Sequence, residues 1–145
     1  MADLNDVRRI AAADGHLSVL AVARKDGSVQ ASVVNAGVLD DPVGGAPSVA
    51  LVAGGGTAKL ALLRANPRAT VVFKQGYEWV AVAGAVRLLG PDDVAPGDPD
   101  VPATIRSVFV AAGGSHDDWE SFDRVMEEER RCAVFVHADT VTSNR

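Results

Sequence analysis

Residues 53–79 read AGGGTAKLALLRANPRATVVFKQGYEW. Gly54, Gly55 and Gly56 lead into Ala58–Ala65, a run of strong helix formers that carries Lys59 in its first turn. Thr57 is placed to cap that helix. Asn66-Pro67 stops it, because the residue before a proline is pushed out of helical backbone. Two stretches rich in valine and aromatics follow, residues 69–74 and 77–89, parted by Gln75-Gly76. They read as a hairpin, and Gly84 is a natural bend point in its long second strand. A glycine loop, a helix N-terminus and a lysine together make an anion socket. A tight strand-to-helix link with an exposed lysine explains the same residues. The nucleotide P-loop pattern is absent, since no Gly-Lys-Ser/Thr follows the glycines.

Working towards the N-terminus, Ser48–Ala53 is a short apolar strand expected to be buried on both sides. It is preceded by the loop DDPVGGAP, residues 40–47. Residues 28–38 read as one strand. Val29, Ala31 and Val33 alternate with Ser28, Gln30 and Ser32, so the valine face is expected in the core. The polar face suits either solvent or a lined pocket. Arg24-Lys25-Asp26-Gly27 joins this strand to Leu17–Ala23 by a hairpin turn. Residues 3–13 form an amphipathic helix with Leu4, Val7, Ile10 and Ala11 on one stripe.

Working towards the C-terminus, residues 90–102 hold four prolines and form a loop. Helices follow over 103–112 and 117–130, with Ser115 and Asp118 spaced as a capping box and Trp119, Phe122, Val125 and Met126 on one stripe. Residues 132–137 are a final strand, and the tail TVTSNR is expected to fray. About six strands with short helices between them, and no regular βαβ alternation, point to a mainly β, antiparallel barrel with peripheral helices.

The 145 residues suit one domain. A net charge of -5 argues against nucleic acid or an anionic membrane as partner. No apolar run is long enough to cross a bilayer. The opening residues lack a signal-peptide pattern, so a cytoplasmic protein is expected. The single cysteine, Cys132, sits in an apolar run and reads as a buried, inert thiol. His16, His116 and His137 fit no zinc spacing, and no metal site is expected. Nor is there a nucleophile elbow or a paired-carboxylate motif, so no catalytic side chain is assigned. His116 beside Asp117 fits an acid/base pair or a capping loop. Tyr77 and Trp79 open the long strand and could cover a planar ligand or fill a dimer interface.

Several of these segments together resemble a known family. LSVLAVARKDGSVQASVV, TAKLALLRANPRATVVF and YEWVAVAGAVRLL resemble the opening hairpin, helix-and-strand block and next strand of the pyridoxamine 5'-phosphate oxidase-like split β-barrels. The closing stretch SHDDWESFDRVMEEERRCAVFV is similar to the actinobacterial branch that uses the deazaflavin coenzyme F420. The resemblance runs from about Leu17 to His137. It implies a single split-barrel domain, a homodimer and a flavin-type cofactor, either F420 or FMN, at the subunit interface. Lys59 would hold the cofactor phosphate with Thr57 and Ala58 beside it and the Gly54–Gly56 amides nearby. Arg64 and Arg68 would add positive charge. Gln30, Ser32, Val34 and Asn35 would line the ring, and Tyr77, Trp79 and Val80 would come from the partner. The implied activity is hydride transfer with a small or planar organic acceptor; a carrier that binds without turnover is the other reading. Two departures stand out. Relatives often carry a basic residue where Thr57 stands, and the tail lacks their Tyr-Gly-containing close.

Overall fold

A computed structural model describes all 145 residues, Met1–Arg145. The elements run α1 (Leu4–Ala13), β1 (Leu17–Ala23), β2 (Val29–Asn35), β3 (Gly37–Val38), β4 (Ser48–Ala53), α2 (Ala58–Ala65), β5 (Arg68–Gln75), β6 (Glu78–Leu89), α3 (Val101–Ala111), α4 (Trp119–Glu128), β7 (Cys132–His137) and β8 (Thr140–Ser143). All ladders are antiparallel, in the order β2-β1-β5-β6-β7-β4-β3. The two ends of that order, β2 and β3, are consecutive in the chain and meet at the fully buried Ala36. They are one bent strand, so the sheet closes into a six-stranded barrel. Where the bend lets β2 run alongside β4, no ladder forms between them.

Two cores hold the barrel and its helices. The interior core includes Leu20, Val22, Val49, Leu51, Leu60, Leu63, Val71, Phe73, Val80 and Val82. Helix α1 joins it through Val7, Ile10 and Ala11, as its stripe predicts. Asp3 caps α1 by accepting from the amides of Asn5 and Asp6, and Asp6 accepts from the Asp3 amide in return. A second core lies between the outer face of the barrel and α3 and α4: Ala50, Leu89, Ile105, Val108, Phe122, Ala133 and Phe135. Strand β4 feeds both cores, which is why it is apolar on both faces.

The long strand β6 serves two partners. Residues 80–83 pair with β8 and residues 86–89 with β7. Gly84 sits at the changeover, where an added Cβ would lie 2.1 Å from the His137 carbonyl oxygen. Asp139 accepts from the Ala85 amide there at 2.9 Å and fastens the crossing.

Three expectations change. The tail does not fray, because Thr140–Ser143 pairs with β6 and covers an otherwise bare strand edge. Helix α3 begins at Val101, two residues early, because Asp100 caps it and a proline is tolerated in the first turn. Helix α4 spans fewer residues than expected, with Asp118 as the N-cap, accepting from the Ser121 amide. His116 belongs to this cap loop: its Nδ1 accepts from the Asp118 amide.

The faces of β2 are the reverse of the expectation. Val29 and Val33 point outward, 56% and 68% exposed. Gln30, Ser32 and Val34 are half-buried and pair with Val22, Leu20 and Ser18 of β1, all of them buried. Strict alternation fixes that two faces differ, not which one the barrel wraps.

Candidate functional site

Helix α2 is the element the site is built on. Leu60 and Leu63 are fully buried in the interior core, worth roughly 1.5–3 kcal/mol each. They fix the helix on the barrel and leave its first turn at the rim. Thr57 is the N-cap residue, but its side chain does not cap. Its hydroxyl turns back and donates to the Gly54 carbonyl at 2.8 Å. The amides of Ala58, Lys59 and Leu60 therefore find no acceptor within the chain. Lys59 is half-buried in this turn and belongs to none of the chain's ion pairs. Unbonded amides at a helix N-terminus beside a free ammonium favour an anion.

The glycine loop packs against the end of α4. The Gly55 amide donates to the Glu129 carbonyl at 3.0 Å. A Cβ at Gly55 would sit 2.6 Å from the Arg130 carbonyl oxygen. The loop is thus pressed against the C-terminal turn of α4, where Arg130 itself takes the left-handed conformation at φ 48°. A polar cleft of about 570 Å³ opens between Gly54–Gly56 and Asp92, Glu128, Glu129, Arg130 and Arg131. Arg130 pairs with Asp92 and Arg131 with Glu129, which leaves Glu128 as uncompensated negative charge. The unpaired cation at this end of the barrel is Lys59 in the first turn of α2, not a group lining the cleft.

The basic cluster expected around Lys59 also dissolves. Arg64 forks onto Asp93, with Nε–Oδ1 at 3.0 Å and Nη2–Oδ2 at 2.7 Å. Arg68 lies past the far end of α2, in a shallow groove on the outer face with Ala21, Val29, Thr70 and Ala83. Lys59 is left as the cation of the helix start.

Strand β2 carries the polar row and touches β4, the strand that leads into α2. Gln30 Oε1 and Ser32 Oγ are buried and have no hydrogen-bond partner. A buried polar atom left unmade costs roughly 1–3 kcal/mol, so two on successive inward positions of one strand call for a partner from outside the chain. Val34 packs on the interior core, and the Asn35 amide nitrogen donates to the Gly15 carbonyl at 3.0 Å. Asn35 is therefore occupied in holding the end of α1.

Tyr77, Trp79 and Val80 lie on the β5–β6 hairpin, on a separate element from α2. Tyr77 is in the turn and 97% exposed, and Trp79 is 37% exposed. Val80 is fully buried in the interior core, because successive strand residues face opposite ways. Its side chain is not presented to any ligand. Glu78, between the two aromatics, is gripped by Arg9 and by Arg145, contacts that no local pattern in the sequence announces. These hydrogen bonds, Arg9 first, pull its carboxyl down to about 2.

Other chemistry-bearing groups are structural. Burial, reinforced by the nearby Asp93 charge, pushes the Cys132 thiol up to about 12, far from a reactive thiolate. No group of three His, Cys, Asp or Glu side chains is placed to hold a metal. Asp41 is fully buried and ties three elements together: it accepts from Arg87 Nε at 2.7 Å and the Val43 amide at 2.8 Å, and bonds His137 Nε2 at 2.8 Å. No local pattern marks it beyond an aspartate in a loop.

No protein-family model matches the chain, and no curated protein matches it. Solved structures do. A conserved hypothetical protein from Mycobacterium tuberculosis is 18% identical, with a TM-score of 0.69 over 99% of this chain and 84% of that one. A pyridoxamine 5'-phosphate oxidase-related, FMN binding protein from Nostoc punctiforme is 14% identical, with a TM-score of 0.64 over 99% and 84%. An F420 reductase is 17% identical, with a TM-score of 0.59 over 90% and 91%. At these identities the likeness is one of fold: the chain has the split β-barrel of the pyridoxamine 5'-phosphate oxidase-like flavin binders, as the resemblance implied.

Proposed function

We propose that the chain is an oxidoreductase that binds coenzyme F420, with FMN as the alternative, between two copies of itself, and passes hydride to or from a small or planar organic acceptor. The observation that carries this is the open first turn of α2, with three unbonded amides and an unpaired Lys59, in a chain that also leaves Gln30 and Ser32 buried and unpartnered. The residues fit a ligand with an acidic headgroup and a polar ring edge. Lys59 and the amides of Ala58, Lys59 and Leu60 would hold the phosphate; Gln30 and Ser32 would bond the ring's polar edge. When bound, the cofactor supplies the hydride chemistry, so no acid, base or nucleophile is required of the chain. The chain's own residues bind, orient and exclude water.

The homodimer rests on the outer face of β1 and β2. Leu17 and Val19 on β1, with Val29 and Val33 on β2, form an exposed apolar patch, and Val19 pairs directly with Val33. Such a patch marks an interaction surface. By the family resemblance, Tyr77 and Trp79 of a second copy would complete the α2 site.

The test is a titration of purified protein with F420 and, separately, FMN, read by cofactor fluorescence. Saturable quenching with reduction or oxidation of an acceptor from an enone, quinone and tetrapyrrole panel supports the proposal. Binding without turnover of any acceptor makes the protein a carrier. No saturable quenching by either cofactor overturns the reading.

A further inference from the structure

The hairpin tip that carries Tyr77 and Trp79 has little packing of its own, and Tyr77 is almost wholly in solvent. The β6–β8 ladder ends one step short of it, at Val80 and Ser143. The next residue, Asn144, continues the ladder with its side chain. Its Oδ1 accepts from the Trp79 amide at 3.0 Å, and its Nδ2 donates to the Tyr77 carbonyl at 2.6 Å. These two bonds bracket Glu78. The Glu78 carboxylate is in turn held by Arg9 of α1, Nη1 to Oε1 and Nη2 to Oε2, both at 2.8 Å, and by Arg145 Nη1 at 2.9 Å. Two segments distant in sequence, α1 and the tail, thus converge on one exposed turn. An exposed turn gains nothing in core burial from such a hold, and ordering two long arginine side chains costs entropy. What the hold does fix is the backbone from which both aromatics project.

We infer that Asn144 is a positioning residue for the cofactor site: by clamping the backbone of Tyr77 and Trp79 it presets those rings to cover the cofactor's planar face. The inference rests on the cofactor reading above and adds a residue to it from the tail. A ring cover that is already ordered gives up less entropy on binding than a mobile one.

Two measurements on the full chain, wild type beside Asn144→Ala and Asn144→Gln, test it. The first is amide hydrogen exchange at residues 76–80 without cofactor. The second is affinity for F420 and FMN, together with the absorption band of the bound cofactor and the melting temperature. The expected result is faster exchange in Asn144→Ala at 77–79 alone, about tenfold weaker binding with a shifted band, an unchanged melting temperature, and partial recovery in Asn144→Gln. Unchanged exchange in Asn144→Ala overturns the clamp, whether or not a cofactor binds. Faster exchange with wild-type affinity and an unmoved band overturns the positioning role while leaving the cofactor reading intact. Failure of the wild type to bind either cofactor overturns that reading, and the positioning role with it.

Discussion

Replacing Lys59 with alanine is the sharpest test of where the acidic headgroup sits. An ion pair at contact is worth ~1 kcal/mol in water and ~4 kcal/mol at an effective dielectric constant of about 20. Lys59 is half-buried at the start of α2 and has no competing carboxylate, so a value near 2 kcal/mol applies. That is a rise in Kd of roughly 30-fold, since about 1.4 kcal/mol is tenfold. The α2 amides remain and are worth roughly 0.3–1 kcal/mol, so binding weakens without vanishing. Arg64→Ala is the matched control. The Arg64 guanidinium is committed to Asp93, and its removal is expected to change Kd by less than about twofold. The assay is cofactor fluorescence at low and high salt. Screening shortens from about 10 Å at 0.1 M to about 3 Å at 1 M, so the wild type weakens with salt and Lys59→Ala weakens less. Equal affinities for Lys59→Ala and wild type, or a larger loss in Arg64→Ala, would refute the reasoning.

Other expectations follow from the same contacts. Asp41→Ala removes a buried carboxylate from Arg87, His137 and the Val43 amide; because both side-chain partners are partly exposed and can turn to water, the cost is about 3 kcal/mol, read as a fall in melting temperature of roughly 6–12 °C. A change below about 1 kcal/mol would mean the cluster is idle. The Glu78 carboxyl, depressed by its arginines from 4.5 to about 2, contributes stability that is present above pH 4.5 and is lost as pH falls towards 2. In Glu78→Gln that part of the acid dependence disappears, and a carbon-detected NMR titration of the wild type should place the Glu78 midpoint well below the ordinary glutamate value of 4.5. Val33→Glu places a charge on the apolar outer face of β2 and is expected to yield a folded monomer by light scattering; a dimer of undiminished stability would move the subunit interface elsewhere.

Much of the barrel could be read from local pattern. Strand β1, strand β4 and helix α2 fall on the expected residues because each is bounded by its own turn or stop signal: Asp26-Gly27, the glycines, Asn66-Pro67. What could not be read was whatever depends on a distant partner. The alternation of β2 was clear, but which face points inward is decided by Leu20 and Val22 across the ladder. The pairing of Thr140–Ser143 is decided by the bare edge of β6, far back in the chain. Lys59 was legible as a candidate because it stands in a helix's first turn. Arg64 looked equivalent, and only Asp93, 29 positions on, removes it. Among the glycines, the need at Gly55 was not legible: its missing Cβ makes room for the backbone at the end of α4, a distant partner.

The seam between β2 and β4 has a mechanical consequence. Everywhere else around the barrel, neighbouring strands are laced by backbone bonds, and parting them would cost a row of those bonds. Along this line no ladder forms, and the wall is shut by the chain turning through Ala36 into the short β3–β4 ladder. A small spreading movement along this line breaks no ladder bond, so the β2–β4 seam is where the wall gives way at least cost.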